Sequence, residues 1–423
     1  MVCDTTQTCS GTEVASIWLV HGDSEHLHVL DGDLRMKKSL FALAALGAFA
    51  TAAQAQSTVT LYGTFDTSVA YLTGLQAATA STITNASNSI TTGDGFGYID
   101  SSWATSSWGM RGSEDLGGGM KANFHLESDT LTNTGNTHSS GLFRRAANVS
   151  LADAKLGEVF LGRRGNAYII ATGQMLPVQG NTAHQWRNVI FSSVGDQISN
   201  SITYATPTIM ATNVVVQYGM NNTVNNGDDG TMFAAHLVNK SINDLQFTAA
   251  YNNMKAAVAA GQASAANTAA NREGYAVGLK YKVTPAIEVG TLYAHGRNND
   301  ATSTGVASNG ISSGVGGFGV GYQATPNILL GANYAKTTFQ AQMTNLQAHY
   351  MLSKRTRIYS QITLTQAAKG NAQLGTRAAS GFSPIACNSS SSSACWSALP
   401  GTAGFQNVPT NANGYNIGVI HTF

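Results

Sequence analysis

From Ser57 onward, polar and apolar residues alternate with a period of two. Val59, Leu61, Gly63, Phe65, Thr67 and Val69 form a mainly apolar set, while Thr58, Thr60, Tyr62, Thr64, Asp66 and Ser68 set hydroxyls and a carboxylate against them. Successive side chains of a β-strand point to opposite faces, so the alternation predicts a strand with one apolar and one wetted face. A single strand of this kind fits a soluble sandwich equally well. Repetition along the whole chain separates the two cases.

The alternation recurs at about 57–71, 102–114, 119–131, 142–152, 156–165, 199–206, 212–219, 231–240, 243–252, 273–282, 286–295, 315–324, 327–336, 344–352, 356–365 and 414–423, which makes sixteen predicted strands. The joins between them differ in kind. Glu114 to Gly119, Asp153 to Leu156, Ala205 to Thr212, Lys240 to Asn243, Lys282 to Ala286, Ala324 to Asn327 and Leu352 to Thr356 are tight, whereas 72–101, 166–198, 220–230, 253–272, 296–314 and 366–413 are long and polar. An even strand count with short turns at one rim and long loops at the other predicts an all-β fold, a 16-stranded antiparallel transmembrane β-barrel. Closure follows from the solvent: backbone groups in hydrocarbon find no water, so an open sheet edge is excluded.

The two faces have different tasks. Lys121, Asn123, His125 and Glu127 share one face of their strand, against Met120, Ala122, Phe124 and Leu126 on the other. Polar groups at every second position are costly in a dry core and natural beside a water-filled lumen. The polypeptide ends in the same pattern, with Tyr415, Ile417, Val419, His421 and Phe423 on one face. That tail reads as a closing strand whose terminal aromatic, Phe423, offers a grip to barrel assembly machinery. Tyr62, Tyr281, Tyr293, Tyr322 and Tyr334 fit an interfacial aromatic girdle.

Composition agrees with this solvent. Only 11% of the 423 residues are charged, against about 25% in ordinary soluble domains, so the surface must be covered by uncharged polar groups or must partly face something other than water. The one compact apolar run lies near the start, where Met36-Lys37-Lys38 leads into Leu40 to Phe49 and then Ala53-Gln54-Ala55. A basic segment, a short apolar stretch and small residues at the cleavage positions form a secretory signal over 36–55, with the mature barrel over 56–423. Residues 1–35 carry acidic Asp31 and Asp33 close to the basic segment and read as an upstream extension, with Met36 the true start. Of 23 basic and 22 acidic residues in the whole chain, 20 and 16 lie beyond residue 55, a net charge of +4. That excess is too mild and too dispersed for a nucleic-acid surface.

Chemistry beyond passage finds little support. Scattered histidines, including His125, His184 and His295, lack metal-ligand spacing, and no metal or cofactor is expected. Gly117 to Gly119 fall in a tight turn, where positive φ accounts for them without a phosphate. No nucleophile-elbow spacing exists among the many serines, so the chain does not read as an enzyme. Cys387 and Cys395 flank a serine-rich segment in an exported chain, which favours a disulfide over a metal site.

With these residues in view, the sequence resembles the general trimeric porins of β-proteobacteria, the Burkholderia, Bordetella and Neisseria type. The similarity is carried by STVTLYGTFDTSVAY from Ser57, SSWGMRGSEDLGGGMKANFHLES from Ser106 to Ser128, LFRRAANVSL and GEVFLGRRGNAY within Leu142 to Tyr168, YQATPNILLGANYAK from Tyr322, YMLSKRTRIY from Tyr350 and the final GYNIGVIHTF. It implies a homotrimer in the outer membrane of a Gram-negative bacterium, in contact with its lipid. Each subunit passes small hydrophilic solutes and ions. It also implies a third long loop, here about Asn166 to Asn200, folded inward to narrow the pore. The implied wall residues are Arg111, Lys121, Arg144, Arg145, Arg163 and Arg164, with Asp196 at the loop's return. Arg145 shares parity with the apolar Ala147, Val149 and Leu151, so Arg144 is the stronger lumen candidate.

Two departures bear on selectivity. Ser107 precedes Trp108 where the family commonly carries arginine, and Asn166 to Gly195 contain no Asp or Glu. The pattern therefore implies a weak anion preference. Rival readings are a substrate-specific channel and a structural or adhesive surface barrel, the latter distinguished by passing no current.

Two outcomes follow. N-terminal sequencing of the protein from the outer-membrane fraction should begin at Gln56; a product retaining Met1 or Met36 would contradict the signal. Peptide mapping without reduction should recover Cys387 linked to Cys395, a local loop clamp rather than a source of barrel stability, and two free thiols would refute it.

Overall fold

The computed structural model describes residues 58–75, 93–137, 141–181, 197–220, 231–255, 271–298, 311–338, 340–366 and 413–423. The signal region, Asp196, Cys387 and Cys395 lie outside them. The described strands are β1 (Thr58–Leu75), β2 (Gly93–Asp100), β3 (Ser107–Gly117), β4 (Met120–Asp129), β5 (Ala146–Asp153) and β6 (Gly157–Gly165). They continue with β7 (Gln197–Ala205), β8 (Thr212–Gly219), β9 (Met232–Asn239), β10 (Leu245–Lys255), β11 (Asn271–Thr284) and β12 (Ile287–Asn298). The last five are β13 (Ile311–Thr325), β14 (Ile328–Thr337), β15 (Gln342–Met351), β16 (Thr356–Gln366) and β17 (Asn413–Thr422).

Every neighbouring pair is antiparallel, and the ring closes where β17 pairs with β1 from Thr64↔Thr422 to Thr73↔Asn413. The other edge of β1 is shared: β3 takes Thr58 to Thr64, and β2 takes Thr67 to Leu75. β2 and β3 therefore occupy one position, and the barrel has sixteen. Phe423 completes the seam by exchanging two backbone hydrogen bonds with Gly63, at 3.0 and 3.1 Å. Its ring sits where a Cβ on Gly63 would come within 2.4 Å of it.

The alternation read from the sequence is the alternation of the wall. Val59 is 62% exposed and Leu61 60%, on the outer face, whereas Asp66 is 0% exposed on the inner one. Tyr281, Tyr293, Tyr322 and Tyr334 face outward. Tyr62 does not belong with them. Its register with Gly109 turns it inward, where its hydroxyl donates to Glu127 Oε2 at 2.6 Å. Gly117, Gly118 and Gly119 all have positive φ, as the tight turn requires. The join from β14 to β15 is short although it lies on the long-loop rim.

Two expected boundaries are corrected. The reading of 72–101 as one long loop and 102–114 as one strand misses β2 and the break after it: the backbone leaves the ladder at 101–106, with Ser101 at φ 60°. Asp66 holds this break. Its Oδ2 accepts Trp103 N and Ala104 N, both at 2.6 Å, and its Oδ1 accepts the Tyr359 hydroxyl at 2.6 Å. Likewise, the strand expected from 142 begins at Ala146, so Leu142 to Arg145 belong to the preceding loop.

Beyond β6 the chain turns into the barrel. Asn166 accepts Tyr168 N at 2.9 Å and starts the short helix α1 (Ala167–Thr172), which packs on β8, β9 and β10. Residues 174–178 then run flat along the inner wall over β11 to β15. A Cβ on Gly278 would approach Met175 to 2.6 Å, and one on Gly290 would approach Pro177 to 2.6 Å. On Gly331 it would come within 2.8 Å of Val178. The contact needs a wall without side chains, and inward-facing glycines supply it. Gln347 Nε2 donates to Val178 O at 2.6 Å and fixes the end of the run.

Replacing Asp66 by Ala leaves two buried backbone N–H groups and a buried hydroxyl without their acceptor, at about 1–3 kcal/mol for each. The heat-modifiable folded band on a denaturing gel should therefore convert at lower temperature for Asp66→Ala, and less so for Asp66→Asn, which keeps an acceptor oxygen. Equal midpoints for all three proteins would show that Asp66 does not hold the break.

Candidate functional site

Among the described residues, the inward loop covers the inner wall from β8 to β15 through 167–178 and leaves β16, β1 and β3 to β6 uncovered. Several of the basic candidates stand on that uncovered sector, while on the covered wall Lys280 and Lys282 of β11 face inward beside Glu288, which lies 3.7 Å from Lys280. Arg111 stands across from Thr60 and His125 in the ladder and is exposed, with its guanidinium 5.0 Å from the Tyr62 ring centroid. Lys121 is exposed on the same inward face near the short-turn rim, opposite Asp115. Among the described residues neither cation has an ion-pair partner. Arg164 lies over the Phe160 ring at 3.7 Å, and its Nη1 is buried without a hydrogen bond.

The remaining expected wall residues are arranged differently. Arg144 is only 4% exposed. Its Nε donates to Asp129 Oδ2 at 2.5 Å, its Nη2 meets the same oxygen, and its Nη1 donates to Gln197 Oε1 at 2.9 Å. Arg145 pairs through Nε with Glu127 and through Nη1 with Asp129 at 3.2 Å. Burial alone would lower the Arg145 guanidinium, but the two carboxylates outweigh it and hold the group above its ordinary range. The expectation that parity sets Arg144 on a solvated wall is therefore corrected. Both arginines precede the strand, where period two no longer applies, and with Glu127 and Asp129 they form a locked, charge-balanced group.

Arg163 departs for another reason. It pairs in the ladder with Ala147, on the outward set, and the β6–β7 register shifts between Gly162 and Arg164. Gly162 has φ 122°, a conformation that suits glycine and lets the strand bulge. Arg163 then spends its guanidinium on Arg144 O and the Ser199 hydroxyl. Of the six basic candidates, the structure brings Arg111, Lys121 and Arg164 to the inner face, locks Arg144 and Arg145, and turns Arg163 away.

Two carboxylates on the sector are engaged by neighbouring side chains, while Asp115 stays exposed. Glu127 also takes Tyr62, with His125 Nε2 at 3.3 Å, and Glu158 accepts Ser150 Oγ at 2.5 Å and Asn123 Nδ2 at 3.0 Å. A cation missed as a site residue is Arg357 on β16, stacked 3.8 Å from the Trp103 ring centroid. Its inward parity with Tyr359, Gln361 and Thr363 was the available signal. Trp103 had none, since its position depends on the break at 101–106. The described part of the inward loop, 166–181, carries no charged residue.

A model of the family described as Gram-negative porin matches residues 42–370. An outer membrane porin protein of Bordetella pertussis is 40% identical over 138 residues, covering 31% of this chain and 34% of that protein. Outer membrane porin protein 32 of Delftia acidovorans is 46% identical over 130 residues, 30% of this chain and 32% of that one. The chain thus spans about a third of the length of each curated relative it matches. The anion-selective porin from Comamonas acidovorans has the same fold at a TM-score of 0.66 and 22% identity, over 87% of this chain and 100% of that one. With a family match over most of its length and a ring that closes strand by strand, this chain belongs to the Gram-negative porins and is an outer-membrane barrel.

Proposed function

We propose that this protein is a water-filled channel for passive diffusion of small hydrophilic solutes and ions, with a weak preference for anions. One observation carries the reading: the uncovered sector bears Arg111, Lys121, Arg164 and Arg357, while the loop across from it, over 166–181, has no carboxylate to oppose them. A cation beside a narrow, low-dielectric wall raises the local concentration of anions and lowers that of cations. The Glu127 and Asp129 charges do not cancel this field, because Arg144 and Arg145 already neutralise them. Asp115 opposite Lys121 keeps the preference modest.

The Comamonas acidovorans protein of like fold is described as anion-selective, and one Vibrio cholerae outer membrane protein of like fold is described in a trimer form, at a TM-score of 0.55. Both accord with an anion-preferring homotrimer here. We read the chain as a channel without catalysis, with outer-membrane lipid around it and barrel assembly machinery as its folding partner.

Liposome swelling should admit small neutral sugars, and reversal potential across a planar bilayer under a potassium chloride gradient should show anion preference. Arg111→Glu changes the local charge by two units and should move the reversal potential toward cations, more at low than at high salt. Arg144→Glu should act on stability instead, because breaking a buried pair costs about 3–5 kcal/mol. A cation-selective wild type, or an Arg111→Glu channel with an unchanged reversal potential, would overturn this assignment of the field.

A further inference from the structure

We propose that Trp103 is a positioning residue for both sides of the constriction, tying the inward loop to the wall and aiming Arg357 into the water path. The inference rests on the channel reading above. Trp103 reaches this place because the ladder of the second barrel position breaks at 101–106. Asp66 accepts Trp103 N and Ala104 N, while Ser106 Oγ donates to Asp66 O at 3.0 Å. The break is thus a built turn inside the barrel, and it delivers one large aromatic to the lumen.

Contacts around the indole come from three elements. From the inward loop, Asn181 N donates to Trp103 O at 2.7 Å, Asn181 Nδ2 donates to Ser101 O at 2.9 Å, and a Cβ on Gly180 would come within 2.4 Å of the indole Cδ1. From β15, Gln347 Oε1 accepts Trp103 Nε1 at 2.7 Å while its Nε2 binds Val178 O at 2.6 Å. One side chain therefore bridges Trp103 to the loop a second time. His349 meets the indole edge-on at 5.1 Å, and from β16 the Arg357 guanidinium lies 3.8 Å from the ring centroid.

The described part of the loop, 166–181, is thus pinned at two ends. Asn166 and α1 hold it against β8 to β10, and Trp103 with Gln347 holds the far end of this part against β15. Between them the glycine-lined wall gives close contact but few hydrogen bonds. Removal of the indole releases the far end and takes away the surface on which Arg357 rests. The width of the pore and part of its field then change together, although Trp103 carries no charge.

Single-channel conductance, the size limit for neutral sugars in liposome swelling, and reversal potential test this on the intact protein. Trp103→Ala should conduct more, admit larger sugars and lose part of the anion preference. Trp103→Phe keeps a ring beneath Arg357 and against Gly180, and should restore most of the wild-type values for all three. Gly180→Val displaces the loop end from its own side and should raise conductance and the size limit as well. That variant decides the matter if Trp103→Ala does not assemble. A wild type that passes no current would overturn the channel reading and this inference with it. A conducting wild type matched in all three measurements by folded Trp103→Ala or Gly180→Val would overturn this inference alone.

Discussion

The structure depends on the absence of backbone hydrogen-bond partners in hydrocarbon. A sheet that cannot leave an edge unpaired must close, and here the last residue of the chain does so by binding Gly63 through both its N–H and its C=O. Closure fixes the inside and the outside of every strand at once, so the period of two becomes a division between lipid and water. The inner face is then free to be polar. Asn345 and Thr363 lie buried on it and meet the penalty of burial by pairing, Asn345 Nδ2 donating to Thr363 Oγ1 at 2.9 Å.

A closed ring of sixteen strands encloses more space than its own side chains fill, and the remainder of the design concerns how that space is narrowed. The inward loop does so on one side only. Its path is set less by what it carries than by what the wall omits: inward positions of β11 to β14 are glycine where Met175, Pro177 and Val178 lie flat. The uncovered side carries Arg111, Lys121, Arg164 and Arg357, and the loop segment 166–181 brings no charge of its own to oppose them. The break at 101–106 sits between that side and the loop.

How far the sequence predicts all this varies with how local the cause is. Strand number and the facing of side chains were legible because side-chain alternation is a property of each strand by itself; Val59 and Leu61 face outward and Asp66 inward, as the alternation from Ser57 has them. The ends of strands were not. Parity was extended through Arg144 and Arg145, but the ladder starts only at Ala146, and outside it a guanidinium follows its carboxylate rather than a pleat. The inward loop was expected from resemblance, yet its course was hidden because it depends on Gly278, Gly290, Gly319, Gly321 and Gly331 in four different strands. Each is unremarked alone; only their common inward parity, set by pairings such as Gly290↔Gly319, makes a track.

The same reasoning separates charge that acts from charge that is merely present. A net +4 beyond residue 55 says little about selectivity, since two of the arginines nearest the lumen are spent on Glu127 and Asp129. At about 4 Å, two unit charges interact roughly fourfold more strongly at the effective dielectric of a protein than in water, and a group whose charges balance presents little net field to an ion outside it. Arg111, with an aromatic rather than a carboxylate beside it, keeps its field. On the channel reading proposed above, solutes sense the cations that the fold has left unpaired, and for Arg144 and Arg145 the pairing was decided by where β5 begins.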